Sequence, residues 1–156
     1  MKLKIIGSNS LCAFLEKLCV VLLVLGGGVV ILLPWLLNGY YRLVRYPTPD
    51  SVRAPMLAAL YVSGVCAFFI LWLLRKLLRN VNADDPFTAQ NARMLKAIGW
   101  LCLPVAAVYL IVLPFLPSAL VLCVALAFAF IAALLAVLAE LFTRAVRFKQ
   151  ENDLTI

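Results

Sequence analysis

The chain has 156 residues, of which 66% are hydrophobic and only 13% are charged, and its mean hydropathy is +1.08. Soluble domains are nearer half apolar and a quarter charged, so this composition excludes an ordinary soluble domain. In a soluble protein the net charge of +7 would suggest nucleic acid as a partner. Here the charges lie in short segments between apolar runs, which favours membrane topology and argues against direct nucleic-acid binding.

Residues 18–37 form the first predicted span, an apolar run long enough for a helix to cross the hydrocarbon core. Upstream, Leu11, Phe14 and Leu15 recur at helical spacing, so residues 10–17 are predicted as an interfacial extension of the same helix. A cleaved signal peptide is the alternative. The run is long for such a peptide and no A-x-A-type site follows it, which favours an uncleaved anchor.

Three more apolar runs predict further spans over residues 56–74, 98–116 and 119–138. Pro104 should kink the third span, because proline has no amide to donate to the carbonyl of Trp100. Pro114 and Pro117 should end that span and leave a tight turn before the fourth. The predicted fold class is therefore an all-α membrane protein with four transmembrane helices in an antiparallel bundle, built as a single domain over residues 1–156.

Small residues predict where these spans pack closely, because helices in lipid associate through close backbone approach. The first span contains Gly26, Gly27 and Gly28, and the second has Ser63 and Gly64. The fourth has Ala125, Ala129 and Ala133 at four-residue spacing, with Ala132 and Ala136 beside them. Packing within the bundle is the favoured interpretation of these faces. Association between copies of the chain stays open.

The loop between the second and third spans is the least generic segment. Asp85 followed by Pro86 is typical of a helix start, with a side-chain acceptor at the cap and proline at the first helical position. A short amphipathic cytoplasmic helix is therefore predicted over residues 86–97, running into the third span at Gly99. This helix is either a connector that fixes the bundle or a docking surface for a cytoplasmic partner.

Residues 140–156 form a cytoplasmic tail that continues the fourth span. Glu140 and Arg144 are four residues apart and can pair on the helix surface. The end of the tail is polar and acidic, so it either folds back on the basic loop or is recognised by a partner.

Lysine and arginine indicate the orientation in the membrane. Three of the fourteen lie on one side, in the loop after the first span, and eleven lie on the other side: Lys2, Lys4, Lys17, Arg75, Lys76, Arg79, Arg93, Lys96, Arg144, Arg147 and Lys149. Because positive segments stay inside, we expect both termini and the middle loop in the cytoplasm. The chain is then a multi-pass protein of the inner cell membrane.

Two segments carry a family resemblance. The stretch Asp85-Pro86-Phe87, with Asn91, Arg93 and Ile98-Gly99-Trp100, resembles a signature of the bacterial membrane family called domain of unknown function 2975. The ending Ala139-Glu140 with Phe142, followed by Glu151-Asn152-Asp153-Leu154-Thr155-Ile156, resembles the same family. The first motif usually reads Asn-Pro-Phe, so Asp85 is a departure, and Ala145 replaces a common glycine.

The resemblance covers essentially the whole chain and implies an uncharacterised four-span protein with no established activity. Members often resemble the membrane half of a pair with a small helix-turn-helix regulator. The resulting hypothesis is a regulatory or sensory membrane protein that binds such a cytoplasmic, DNA-binding partner. Its candidate docking residues are Asp85, Pro86, Phe87, Asn91, Arg93, Trp100, Glu140, Glu151, Asp153 and Leu154.

No residue pattern for catalysis or for cofactor binding emerges. The sequence has no histidine, and its five cysteines include no C-x-x-C, which argues against a metal site and against disulfide exchange. We therefore predict a protein that is not an enzyme and that has no cofactor.

Two alternatives to the regulatory hypothesis stay open. Glu16 is comparable to the first-helix glutamate of small multidrug exporters, although Lys17 is adjacent to it. A small proton-coupled transporter component is therefore one alternative. A structural subunit of a larger membrane complex is the other.

Overall fold

The computed structural model describes residues 8–44, 50–82 and 88–153, and it folds them into four long α-helices. Their bounds are Ser8–Val44 for α1, Asp50–Asn82 for α2, Ala89–Val112 for α3 and Ala119–Asp153 for α4. All four are long and apolar enough to cross a membrane, with hydropathies of 2.7, 2.3, 2.0 and 3.1 in chain order. The prediction of an all-α fold with four helices long and apolar enough to cross a membrane is confirmed for the described residues.

The third helix ends earlier than predicted, at Val112. Pro114 follows, and it has no amide with which to continue the helical hydrogen bonds. Leu113 still donates its amide to the carbonyl of Tyr109 at 3.1 Å, but the amide of Phe115 turns back to the carbonyl of Val112 at 3.0 Å. The helix therefore gives way to a turn before residue 116.

The fourth helix begins at Ala119, where the fourth span was predicted to begin, and continues far beyond the predicted end of that span. The Ser118 hydroxyl accepts the amide of Leu120 at 3.3 Å and helps to satisfy the start of the helix. With 35 residues, α4 is about 52 Å long, whereas the hydrocarbon core is about 30 Å thick. Its last part, from Glu140 to Asp153, is the predicted tail, and it is helical.

In the part of the chain that the structure describes, each helix packs only on its neighbours in the sequence. Contacts join α1 to α2, α2 to α3 and α3 to α4, whereas within the described ranges α1 contacts neither α3 nor α4 and α2 does not contact α4. The end of α1 lies beside the start of α2, where the Tyr41 hydroxyl is 3.4 Å from the Met56 sulfur and the Arg53 guanidinium donates to the Asn38 side-chain oxygen. The helices form an antiparallel row, so a closed four-helix bundle is not confirmed.

Close approach between helices depends on Gly64, which was predicted to pack, and on Gly99, but not on the predicted triplet. A Cβ added at Gly64 in α2 would lie 2.5 Å from Cγ2 of Val30 in α1. One added at Gly99 in α3 would lie 3.3 Å from the Leu135 Cβ in α4. At residues 26–28, by contrast, an added Cβ would meet nothing within 4 Å. The prediction that this triplet provides close packing was therefore wrong for the contacts within the chain.

Candidate functional site

The start of α3 is held between its own cap and α2. The Thr88 side chain caps the helix by accepting the amide of Asn91 at 3.2 Å. The Asn91 side chain is only 1% exposed, and its oxygen accepts the amide of Asn80 on α2 at 3.0 Å. Thr88 rather than Asp85 is therefore the cap of α3, and the predicted surface residue Asn91 is buried as a link between helices.

A groove of about 710 Å³ runs between α3 and α4, starting at this same end of the molecule. Its buried floor consists of small or short residues from both helices, namely Ala92, Gly99, Ala132, Ala139 and Val146. Its two walls are exposed stripes that keep to one face of each helix: Arg93, Lys96, Trp100 and Leu103 on α3, and Ala129, Ala133, Ala136, Glu140 and Thr143 on α4. The groove is about 21 Å long from Ala129 to Thr143.

The charges of the groove are concentrated at one end. Arg93 and Lys96 are exposed there, and within the described ranges neither has a carboxylate partner within 4 Å. Glu140 on the opposite wall is 3.2 Å from Arg144 of its own helix. The predicted Glu140–Arg144 pair is thereby confirmed, and within the part of the chain that the structure describes no carboxylate pairs with the two α3 cations.

Outside the groove lining, α4 carries an exposed apolar face. Leu141 is 54% exposed and Phe148 is 67% exposed, and their seven-residue separation places both on one side of the helix. The flanking ion pairs, Arg144–Glu140 and Arg147–Glu151, are exposed and join residues four apart. We call this segment, from Glu140 to Glu151, the α4 extension. Its surface combines an apolar stripe with a charged one.

Residues 41–156 match the model of a protein family described as protein of unknown function (DUF2975). The chain belongs to this family. Together with the four apolar helices, membership of DUF2975 indicates a multi-pass integral membrane protein in contact with the lipid bilayer. Neither a curated protein nor a solved structure matches the chain.

The groove of this DUF2975 protein brings three of the predicted docking residues together, namely Arg93, Trp100 and Glu140. Glu151 lies on the α4 extension, and Asp153 is the last residue of α4. The remaining predicted docking residues lie outside the described residues: Asp85, Pro86, Phe87 and Leu154.

Sequence reasoning missed two features of this end of the molecule. Lys96 was named only among the cations that indicate the orientation, and Phe148 was not considered. A signal for Phe148 was present, because an aromatic residue follows the predicted end of the fourth span by ten positions and is surrounded by charges. The short amphipathic helix was predicted over residues 86–97. Its residues 89–97 belong to α3 itself and pack between α2 and α4. A separate helix lying on the membrane surface is not confirmed.

A second cavity, of about 340 Å³, lies between α1 and α2. Its lining is apolar apart from Ser63, whose hydroxyl donates to the carbonyl of Ala59 at 2.7 Å. Glu16, the residue that raised the transporter alternative, does not line this cavity. Within the described ranges, no three His, Cys, Asp or Glu side chains come together as a metal site.

Proposed function

We propose that this protein is a regulatory or sensory protein of the inner membrane that binds a cytoplasmic protein through the α4 extension. In this proposal the protein acts by binding and not as an enzyme, and the partner is a small helix-turn-helix transcription regulator. The observation that carries the proposal is the exposure of Phe148 at a position beyond the reach of the hydrocarbon.

The position of Phe148 follows from helix geometry. A helix needs about 20 residues to cross the hydrocarbon, so α4, which starts at the Ser118 turn, has crossed it near Ala139. At about 1.5 Å per residue, Phe148 lies roughly 13 Å further along the helix. An aromatic ring that is 67% exposed there faces water or a partner, but not lipid tails.

An exposed aromatic residue on a rigid helix is typical of a binding surface. Aromatic side chains are enriched among residues that dominate binding energy, and an apolar stripe on a helix fits a groove of a partner protein. Leu141 extends the stripe toward the membrane. The flanking ion pairs, Arg144–Glu140 and Arg147–Glu151, supply polar edges of both charges.

The cytoplasmic location of the extension rests on the distribution of cations. Eleven of the fourteen lysines and arginines lie in segments that the predicted topology puts on one side of the membrane, namely both termini and the α2–α3 connection. The positive-inside rule assigns such an end to the cytoplasm. The choice of a helix-turn-helix regulator as the partner rests on the family resemblance.

The test compares Phe148→Ala with Phe130→Ala, two phenylalanines of α4 that are 67% and 68% exposed. Phe130 lies within the span and faces lipid, so it is a matched control for the loss of an exposed ring. Each variant and the wild type is purified in mild detergent from its native cell, and proteins that remain bound are quantified by mass spectrometry. We expect one small helix-turn-helix protein in stoichiometric amount with the wild type and with Phe130→Ala, and its loss from Phe148→Ala.

A partner retained equally by both variants would contradict the assigned surface. Recovery of the wild type without any soluble protein would contradict the regulatory role itself. The same comparison can be made in intact cells with a photo-crosslinking amino acid at position 148 or at position 130. Crosslinks to a protein are expected only from position 148.

A further inference from the structure

We propose that the groove between α3 and α4 is a binding site for one anionic phospholipid. Its phosphate is held by Arg93 and Lys96, and one of its acyl chains lies along the alanine wall of α4. The groove includes residues of the α4 extension, but Leu141 and Phe148, which carry the proposed function, do not line it. Lipid binding therefore does not depend on a protein partner.

The position of the two cations favours a headgroup. Lys96 lies just before the apolar part of α3, and Arg93 lies one turn further out, so both reach the layer of lipid phosphates. Arginine binds phosphate through paired N–H groups, and lysine does so as a point charge. Because neither cation has a carboxylate partner within the described ranges, their charge is available to a ligand.

The rest of the groove suits the glycerol and the acyl chain. The Trp100 ring is 66% exposed on the groove wall, at the depth where indole rings prefer to lie, and no hydrogen bond is recorded for its N–H within the described ranges. Below it, the walls are formed by Leu103 and by short alanine side chains, which leave an apolar channel open to the side. A volume of about 710 Å³ lies within the range of about 300–1,000 Å³ found for small-ligand sites.

A second copy of the chain fits this groove less well. A symmetric dimer places the same surface patch on both sides of its interface. With its two-fold axis along the membrane normal, such a dimer would bring Arg93 and Lys96 of both copies to the same depth. Four cations would then face each other, because each Glu140 is already paired with Arg144 and no other described carboxylate pairs with Arg93 or Lys96. A lipid phosphate instead supplies the opposite charge.

The test measures lipid binding to the purified full chain by native mass spectrometry. The probes are phosphatidylglycerol, which is anionic, and phosphatidylcholine, which is zwitterionic, with identical acyl chains. The wild type should prefer phosphatidylglycerol. Arg93→Gln/Lys96→Gln should lose about thirtyfold in affinity for it at low ionic strength, at about fivefold per cation near a membrane surface. The matched control, Lys76→Gln/Arg79→Gln, removes the same charge from exposed residues of α2 at the same end of the molecule and should lose much less.

A second pair of variants tests the acyl-chain part of the site without changing any charge. Ala133→Leu fills the groove, whereas Ala127→Leu adds the same side chain at an exposed position that does not line it. Leucine is well tolerated in membrane helices, so both proteins should insert. Only Ala133→Leu should weaken binding of phosphatidylglycerol.

Four results would overturn the proposal. Equal affinity of the wild type for the two lipids would exclude selection of an anionic headgroup. If both double variants lost the same affinity for phosphatidylglycerol, the preference would come from the overall positive charge of this end of the molecule and not from the groove. Displacement of the lipid by millimolar inorganic phosphate would identify a site for free phosphate. A wild-type dimer that Ala133→Leu dissociates would identify a second copy of the chain as the occupant.

Discussion

Replacing Gly64 by alanine should destabilise the contact between α1 and α2, because the added methyl group has no room. Its carbon would lie 2.5 Å from Val30 Cγ2, whereas carbon atoms in good contact are about 3.5–4.0 Å apart. Valine in a helix has one strongly preferred rotamer, so Val30 cannot turn away without cost. Overpacking typically costs about 1–3 kcal/mol, and the better helix propensity of alanine returns about 1 kcal/mol. We expect a net loss of up to about 2 kcal/mol in the free energy of unfolding.

A double-mutant cycle with Val30→Ala isolates the steric cause. This substitution removes Cγ2, after which the nearest atom to the new methyl is the Cβ of residue 30 at 3.7 Å, an ordinary contact. The double variant should therefore be more stable than the sum of the two single effects predicts, by at least about 1 kcal/mol. Gly27→Ala is the matched control, because its added Cβ meets nothing within 4 Å and should raise stability by up to about 1 kcal/mol.

Reversible unfolding in mixed micelles, driven by added SDS and followed by helix content, measures the wild type and all four variants under one condition. Additive effects of Gly64→Ala and Val30→Ala would refute the reasoning, since they would mean that the two residues do not touch. A loss for Gly27→Ala as large as that for Gly64→Ala would refute it as well, because helix packing would then not distinguish the two glycines.

Three further changes test other parts of the molecule. Asn91→Leu leaves the Asn80 amide without this acceptor. It should lower the free energy of unfolding by about 1–3 kcal/mol in the same titration. An unchanged free energy would mean that the hydrogen bond between α2 and α3 does not stabilise the protein. Thr88→Ala removes the cap of α3 and should cost about 1 kcal/mol, seen as faster hydrogen exchange in the first turn of that helix; unaltered exchange would contradict the cap. In a cysteine-free background, a membrane-impermeant maleimide should label Ser118→Cys in intact cells and Glu151→Cys only after permeabilisation; the reverse pattern would place both termini outside.

The lengths and places of the helices were largely predictable, because they depend on local composition. The apolar runs gave four spans, and Ser118 after Pro117 gave the start of α4. Caps were less predictable, since Asp85 and Thr88 have equally suitable side chains and only the structure shows that Thr88 accepts the amide of Asn91. The choice between two acceptors three residues apart depends on how α3 is held against α2.

The packing and the groove were beyond sequence reasoning, because they depend on how each helix is rotated about its axis. The alanines of α4 occur at several spacings, and the structure buries Ala125, Ala132 and Ala139, seven residues apart, while Ala129 and Ala133 face the groove. Four-residue spacing in the sequence suggested instead that Ala125, Ala129 and Ala133 share one interface. A rotation of α4 about its axis by one residue position would exchange the buried alanines with those that face the groove. The sequence of a single helix does not specify this rotation.

The row of helices bears on how the protein is made. Within the described ranges, every contact between helices joins neighbours in the sequence. Each helix therefore makes its contacts with the helices synthesised directly before and after it. Each span can dock on its predecessor as soon as it leaves the insertion machinery, and chains dominated by such local contacts fold fast. Synthesis and tertiary assembly can thus proceed at the same pace, with α4, the most apolar of the four, added last.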